Sequence, residues 1–337
     1  MNARWMLLSA GAALLLAAAP AGAEGKASLR ATWDMPPKCE PFAPPRIKDL
    51  KQELWETGYR LAICIHPDTK DPNGKYQPRD LYVIHADGTA LRQLTHTPEK
   101  DERTPRTAPN GKWFSYNGGD FLVDSKTFET RKHWGGYCWA PDSNRTVHCG
   151  KRGIVYTDIR TNKNSEPVPV KRRVSVADLS SDGKWFLFEI RDYLGCKYTI
   201  DFMSADGGEI RKMPNHPAGG GECHPGFSPD GKWMCWNSGG ALSVRRFDPN
   251  LPDGTDGKVH TLPKDLLGQD PCGRWSRCGR YIAYVKIPHR GSWTVHSPLC
   301  IVRLADHATI TLSPPGWLGH HWDYDWLPPE PKAADER

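Results

Sequence analysis

The sequence predicts an all-β fold, a six-bladed β-propeller, and three observations carry this prediction. A hairpin motif recurs along the chain, its copies are spaced as propeller blades are, and a second type of hairpin accompanies it. The clearest copy of the first motif is 224–236, where aromatic and small residues flank the turn Ser-Pro-Asp-Gly at 228–231. Proline presets φ and glycine accepts a positive φ, so this tetrapeptide is a strong turn signal.

Further copies of the motif follow in phase. They lie at 105–116, 137–145, 176–188 and 273–284, and a half copy at 323–328 ends the series. The residues at the proline position are 32, 40, 48, 48 and 51 residues apart. Each interval has room for about four short strands, which is the size of one propeller blade. The alternative interpretation of these repeats is an open β-sandwich or two smaller sheets.

The second type of hairpin turns on Asp-Gly, at 87–88 and again at 206–207, between alternating apolar residues. The half copy at the C-terminal end supplies only the inner strand of a blade. We expect strands at 61–65, 81–85 and 91–95 to complete that blade. Such pairing of N-terminal strands with the C-terminal strand closes the ring and leaves no free sheet edge.

The first 23 residues are predicted to be a signal peptide. Arg4 precedes an apolar run, and Ala-Gly-Ala at 21–23 fits a cleavage site. The apolar run is too short to span a membrane comfortably, and no cysteine follows the site for lipid attachment. We therefore expect a periplasmic or extracellular protein with no membrane span after cleavage.

A lead-in segment, 24–58, precedes the predicted propeller. It is rich in proline and ends in a predicted short helix at 46–56, whose apolar residues fall on one face: Ile47, Leu50, Leu54 and Trp55. We expect this helix to cover one end of the propeller core, with a partner-binding role as the alternative. The propeller itself is predicted at 59–328, with a C-terminal tail at 329–337.

Charge and cysteine content limit the partners and the chemistry. The net charge is +6, but the charges are interleaved and no block of five or more Lys and Arg occurs. This pattern argues against a nucleic-acid partner. We also expect the protein to be a monomer. The ten cysteines permit disulfides in an exported protein, and Cys223 and Cys235, which flank one hairpin, are the expected pair.

Polar residues collect in the loops that a propeller gathers at one mouth of its channel. Loops that precede inner strands share a face with loops that join second to third strands, so we expect their side chains to converge. The candidate binding residues there are Glu222, His224, His289, Arg290, His320, His321 and Asp323. Imidazole and carboxylate groups commonly bind divalent metals, so His224, His321 and Asp323 are the candidate metal ligands. The alternative is that the histidines only bond neighbouring backbone.

Two motifs together resemble a known repeat. Phe-Ser-Pro-Asp-Gly-Lys at 227–232, combined with the Asp-Gly hairpin around 81–95, resembles the TolB-like, or PD40, repeat, which is WD40-like. The resemblance covers 59–328 and implies a six-bladed propeller. It does not imply one activity, because one fold carries many functions.

A narrower resemblance concerns residues 222–231. Oligogalacturonate-lyase-like propellers also carry a histidine just before such a strand. That resemblance implies a divalent metal ion in the channel and cleavage of acidic sugars by β-elimination, with His224 and Arg290 as the catalytic candidates. The chain departs from that family in having Glu222 where a second histidine stands, and in having six predicted blades instead of seven.

The predicted function is therefore that of a non-catalytic binding or scaffold protein of the periplasm or cell envelope. Its ligand would be an envelope protein, a peptide or a glycan. The alternative function is that of a polysaccharide-lyase-like enzyme with a His and carboxylate metal site at the channel mouth.

Overall fold

The structure is a computed structural model. It describes residues 33, 38–66, 78–170, 174–191, 198–213, 222–238, 241–251, 258, 260–262, 273–286, 298–312 and 323–330.

One α-helix and 23 β-strands are found in the described residues. The helix α1 spans Leu50–Thr57, and the strands of the first half are β1 (Arg60–Ile65), β2 (Asp80–His85), β3 (Arg92–Gln93), β4 (Arg106–Thr107), β5 (Trp113–Tyr116), β6 (Phe121–Asp124), β7 (Thr130–Lys132), β8 (Cys138–Trp139), β9 (Arg145–Gly150) and β10 (Gly153–Asp158). The strands of the second half are β11 (Ser175–Leu179), β12 (Trp185–Arg191), β13 (Tyr198–Ser204), β14 (Arg211–Lys212), β15 (Glu222–Phe227), β16 (Trp233–Ser238), β17 (Ala241–Arg246), β18 (His260–Leu262), β19 (Arg274–Trp275), β20 (Tyr281–Val285), β21 (Leu299–Arg303), β22 (Thr309–Thr311) and β23 (Tyr324–Leu327).

These strands form six antiparallel sheets, which confirms the predicted six-bladed β-propeller. Blade 1 has the strand order β23-β1-β2-β3, and blades 2, 4, 5 and 6 are β4–β7, β11–β14, β15–β18 and β19–β22. Blade 3 is β8-β9-β10, with isolated bridges Ile154–Val168 and Thr157–Asn164 at its outer edge. In blade 1, the C-terminal strand β23 pairs with β1, with Ile63 opposite Tyr324.

The hydrophobic core is divided among the contacts between blades. Alternate residues of a strand point to opposite faces, and each face of a blade packs on a neighbouring blade. In β1, Leu61 and Ile63 pack toward blade 6, whereas Ala62 and Cys64 pack toward blade 2. All six residues of β1 are buried for this reason. Each of the six core clusters joins two adjacent blades.

Tryptophan side chains also link the inner strands, which are β4, β8, β11, β15, β19 and β23. The indole Nε1 of Trp139 donates to the carbonyl of Arg106 at 2.9 Å, from blade 3 to blade 2. In the same way, Trp275 of blade 6 donates to the carbonyl of Gly226 in blade 5 at 3.2 Å. Trp326 of blade 1 donates to the carbonyl of Arg274 in blade 6 at 2.8 Å. The register turns these carbonyls toward the second strand of their own blade, so each indole adds a further hydrogen bond that crosses between blades.

The helix α1 begins later than predicted, at Leu50, and one of its predicted contacts is wrong. Asp49 caps the helix by accepting from the backbone N–H of Gln52 at 2.8 Å. Leu50 and Leu54 are buried between blades 6 and 1, but Trp55 is 62% exposed. Glu53, which is not on the predicted apolar face, is fully buried.

The burial of Glu53 is explained by two arginines of blade 6. Its carboxylate lies 2.5 Å from Nη1 of Arg303 and 3.3 Å from Nη2 of Arg280. Arg303 also donates to the carbonyls of Ile47 and Lys48, so these residues stay outside the helix. This buried network fixes the N-terminal segment, residues 38–57, on the propeller.

The expected Cys223–Cys235 disulfide is wrong. A β-bulge shifts the register of β15 against β16, so Cys223 lies opposite Asn237 and Cys235 lies opposite Gly226. The Cys223 sulfur accepts from Nδ2 of Asn237 at 3.3 Å, and Cys235 points to the carbonyl of Gly273.

In the part of the chain that the structure describes, no helix has the length and apolar character that a membrane crossing requires.

We predict that Trp326→Phe destabilises the protein more than Trp236→Phe does. Both indoles are almost fully buried, but only Trp326 bridges blades through Nε1, whereas the Trp236 Nε1 has no hydrogen-bond partner among the described residues. The variant loses a hydrogen bond that crosses between blades, which costs about 0.5–1.5 kcal/mol beyond the shared loss of volume. Urea denaturation of both variants measures the difference, and equal losses would show that the indole bond contributes nothing to closure.

Candidate ligand channel

A cavity of about 560 Å³ lies on the axis of the propeller. The inner strand of each blade places an equivalent residue in its lining: Asp325, Arg106, Cys138, Asp178, Gly226 and Arg274, in order around the ring from blade 1 to blade 6. Each of these residues stands three positions before the proline position of its repeat. The channel lining is thus set by a fixed offset within the repeated motif.

The cavity extends to the turns that join each inner strand to the second strand of its blade. We call this end of the propeller the turn face, formed by the turns at 108–112, 140–144, 180–184, 228–232 and 276–280. Pro109, Pro141 and Pro229 line the cavity there. Trp33 stands at the rim, with the Arg277 guanidinium 5.5 Å from its ring centroid.

Asp178 is a buried carboxylate that joins blade 4 to blade 5. Its Oδ2 accepts from the backbone N–H of Phe227 at 2.8 Å, and its Oδ1 accepts from the N–H of Leu179 at 2.9 Å. Burial raises the pKa of Asp178 to about 6, against the opposing effects of these two bonds and of Arg274. The carboxylate therefore both closes the ring and places a titratable group beside the cavity.

Asp325 has the equivalent role between blades 1 and 2. Its Oδ2 accepts from the backbone N–H of Thr107 at 2.7 Å. Burial raises the pKa of Asp325, although the positive charges of Arg106 and Arg274 lower it. Two carboxylates and two guanidinium groups thus face one channel, together with the rings of Trp139 and Trp275. This lining can hold a ligand that carries both polar and apolar groups.

His224, a predicted site residue, is held by a carboxylate that the sequence analysis did not identify. Its Nδ1 lies 3.3 Å from Oε2 of Glu189 in the neighbouring blade, and its backbone N–H donates to the same oxygen at 2.9 Å. Burial alone would raise the pKa of Glu189, but the bonds and charge from His224 outweigh burial and lower that pKa. His224 also has a φ of 57°, an uncommon backbone conformation for a residue other than glycine.

Asp323 lies in a buried ion pair. Its Oδ2 accepts from Nη1 of Arg79, and its Oδ1 accepts from the backbone N–H of Thr104 at 3.1 Å. Arg79 in turn binds Asp101 through Nε and Nη2, each at 2.7 Å. Burial raises the pKa of Asp323 to about 6 despite the charge of Arg79. Both oxygens of Asp323 are thus engaged within the protein.

The other predicted site residues are only partly described. Glu222 opens β15, opposite Ser238. His289, Arg290, His320 and His321 lie outside the described residues. Among the residues that the structure describes, no group of three His, Cys, Asp or Glu side chains is arranged to hold a metal ion. The described residues therefore do not form a metal site by themselves, and the metal hypothesis depends on His320 and His321.

The sequence analysis does not include four channel residues, because they lie in strands whereas the predicted site residues were assigned to loops: Arg106, Asp178, Arg274 and Asp325. Their common offset from the proline position was visible in the sequence. The offset by itself does not reveal that this position faces the axis. Glu189 and Arg79 carried no such signal, because their partners lie 35 and 244 residues away.

Comparison with known proteins supports the fold. No family model and no curated protein sequence matches the chain. The structure resembles TolB from Acinetobacter baumannii, with a TM-score of 0.58 and 17% identity over 80% of this chain and 66% of that chain. It also resembles a putative TolB from Agrobacterium tumefaciens, with a TM-score of 0.50 and 17% identity over 80% of this chain and 97% of that chain.

A third similar structure comes from a nidogen/laminin complex. Its TM-score is 0.57 at 10% identity, over 81% of this chain and the whole of that chain. The chain spans slightly less than two thirds of the Acinetobacter TolB. At these identities the likenesses show a TolB-like propeller fold, and they do not establish a shared function.

We predict that Asp178→Asn changes how stability depends on pH. The folded-state pKa of Asp178 is raised to about 6, above an unfolded value of about 3.9. The Asp178 carboxyl therefore stays protonated to a higher pH in the folded state than in the unfolded state. As a result, wild-type stability falls as pH rises from about 4 to about 6. Asparagine removes the titration, so the stability of the variant relative to wild type should rise by up to about 3 kcal/mol between pH 4 and pH 7.

Urea denaturation at four pH values between 4 and 7 measures this effect. Asparagine keeps one acceptor oxygen. Any stability lost through a weaker bond to the Phe227 N–H should therefore be the same at all four pH values. Asp206→Asn, in an exposed turn, is the control and should run parallel to wild type. A pH-independent gap between wild type and Asp178→Asn would contradict the prediction.

Proposed function

We propose that the chain is an exported, non-catalytic binding propeller that holds an extended peptide segment of an envelope protein in its channel. The observation that carries this proposal is the cavity of about 560 Å³, which inner strands of all six blades line. An extended segment can enter such a cavity along the axis and offer backbone groups and side chains together. The predicted signal peptide supports a periplasmic or extracellular location.

The character of the lining supports binding over catalysis. Asp178 and Asp325 accept backbone N–H groups, so their oxygens maintain the ring and are poorly placed to exchange protons with a substrate. Arg106 and Arg274 add donors that suit carbonyl and carboxylate groups of a peptide. Indole faces from neighbouring strands suit apolar side chains.

The proposal is tested by filling the channel. At Gly226, an added Cβ would meet as its nearest contact only Oδ2 of Asp178, at 3.7 Å, so the first atom of the leucine in Gly226→Leu fits at the channel lining. We expect this variant to lose a partner that wild-type protein captures from envelope extract, by at least about tenfold, or 1.4 kcal/mol. Capture is measured by cross-linking and quantitative mass spectrometry.

Thr130→Leu is the matched control, because it adds the same side chain at an exposed position of the outer strand β7. Thermal unfolding of both variants verifies that the propeller is intact. Equal capture by Gly226→Leu and wild type would place partner binding outside the channel and overturn the proposal.

The second candidate function is that of a lyase-like enzyme, and the Glu189–His224 pair favours it. A carboxylate that contacts one ring nitrogen orients an imidazole, as it does for metal ligands and general bases. Under this alternative, His224 would act with residues of the loops that the structure does not describe, including Arg290, His320 and His321. Asp323 fits a structural ion pair better than a place among metal ligands.

We predict that His224→Ala leaves partner capture unchanged, because His224 does not line the channel cavity. Wild type and His224→Ala, both purified without chelator, are also analysed for bound metal and for release of unsaturated sugars from an acidic polysaccharide. Bound metal and lyase activity in wild type, with loss of both in His224→Ala, would establish the enzyme in place of the binding protein.

A further inference from the structure

A second cavity, of about 500 Å³, lies on the outer side of blade 5. It forms where the N-terminal segment runs beside β16, β17 and β18. Phe42 of that segment stacks on His260, with ring centroids 3.9 Å apart and an interplanar angle of 24°. The rings of Phe42 and Trp233 pack in a T-shaped arrangement, with their centroids 5.6 Å apart. We call this cavity the blade 5 groove.

The described residues that line the blade 5 groove are mostly cationic. Four cationic side chains line it, from the N-terminal segment and from blade 5: Lys38, Lys232, Arg246 and Lys258. The last three are exposed, and Arg246 lies opposite Trp233 across the β16–β17 pair. The cations therefore stand directly beside the aromatic cluster.

The described carboxylates at the groove are already engaged within the protein. Among the described residues that line the groove, Asp230 is the one carboxylate. Its Oδ1 accepts from the Ser228 hydroxyl at 2.6 Å and from the Lys232 N–H at 3.1 Å, and its Oδ2 accepts from the Cys39 N–H at 3.1 Å. Glu40 pairs with Lys38 at 3.0 Å, but both side chains are exposed, and such a pair is weak.

We propose that the blade 5 groove binds an acidic oligosaccharide through the carboxylates of its uronic-acid units. Ammonium and guanidinium groups bind carboxylates by charge-assisted hydrogen bonds. The exposed ring of His260, whose other face covers Phe42, offers a flat surface to the C–H face of a pyranose. Cations beside an aromatic surface thus match a ligand that alternates anionic groups with flat apolar faces. This site is separate from the channel and does not depend on the function proposed for it.

The test measures binding of an alginate oligosaccharide to the full chain by isothermal titration calorimetry. We expect saturable binding that weakens as salt is raised, because the pairs are exposed to solvent. The double variant Lys232→Gln/Arg246→Gln should bind at least tenfold more weakly. Lys151→Gln/Arg152→Gln, which removes the same charge from an exposed turn of blade 3, should bind as wild type does.

Further ligands and variants make the outcome specific. Neutral dextran should not bind, and dextran sulfate distinguishes a carboxylate site from one for any anionic sugar. Gly226→Leu should bind alginate as wild type does, so that failure of the channel proposal and failure of this one can be told apart. No binding of alginate by wild type, equal binding by the groove variant, or tighter binding of single-stranded DNA would each overturn the proposal.

Discussion

Closure of the ring depends on how each inner strand satisfies its free edge. One edge pairs with the second strand of the same blade, and the other faces the channel with backbone groups that need partners. Indoles of the following blade also donate to one carbonyl in each of three inner strands, from Trp139, Trp275 and Trp326. Two N–H groups donate to carboxylates of the preceding blade, at Asp178 and Asp325. Because every one of these bonds crosses between blades, the side chains that line the channel are also those that hold the ring together.

This double role explains the electrostatics of the channel. A buried carboxylate is unfavourable unless hydrogen bonds and opposite charges compensate it. Asp325 stands between the blades that carry Arg106 and Arg274, and Asp178 stands across the ring with two backbone donors. The inner strands therefore contribute two positive and two negative groups to the lining. The blade 5 groove differs, because its described lining holds four cationic side chains and one carboxylate. The two cavities suit different ligands, one selected by shape and hydrogen bonding and one by charge.

The N-terminal segment connects these two regions. Arg303 fixes it through the buried carboxylate of Glu53, and the Cys39 N–H binds Asp230 in the turn of blade 5. Along the way it supplies Phe42 to the blade 5 groove, and further upstream Trp33 stands at the rim of the channel. Both cavities therefore require this segment in addition to the blades. A propeller repeat alone would form neither one in full.

The sequence by itself determined the blades, because turn chemistry and strand alternation are local properties. Proline, aspartate and glycine at fixed places in the motif specify the inner hairpins, with the full set at 228–231 and part of it in the other copies. Only the tertiary structure decided which strand position faces the axis, since that depends on ring closure and on the twist of six blades together. It also decided that Glu53 is buried while Trp55 is exposed, because the partner of Glu53 is 250 residues away. The bulge that separates Cys223 from Cys235 likewise contains His224, whose backbone N–H binds Glu189 of the neighbouring blade, 35 residues away.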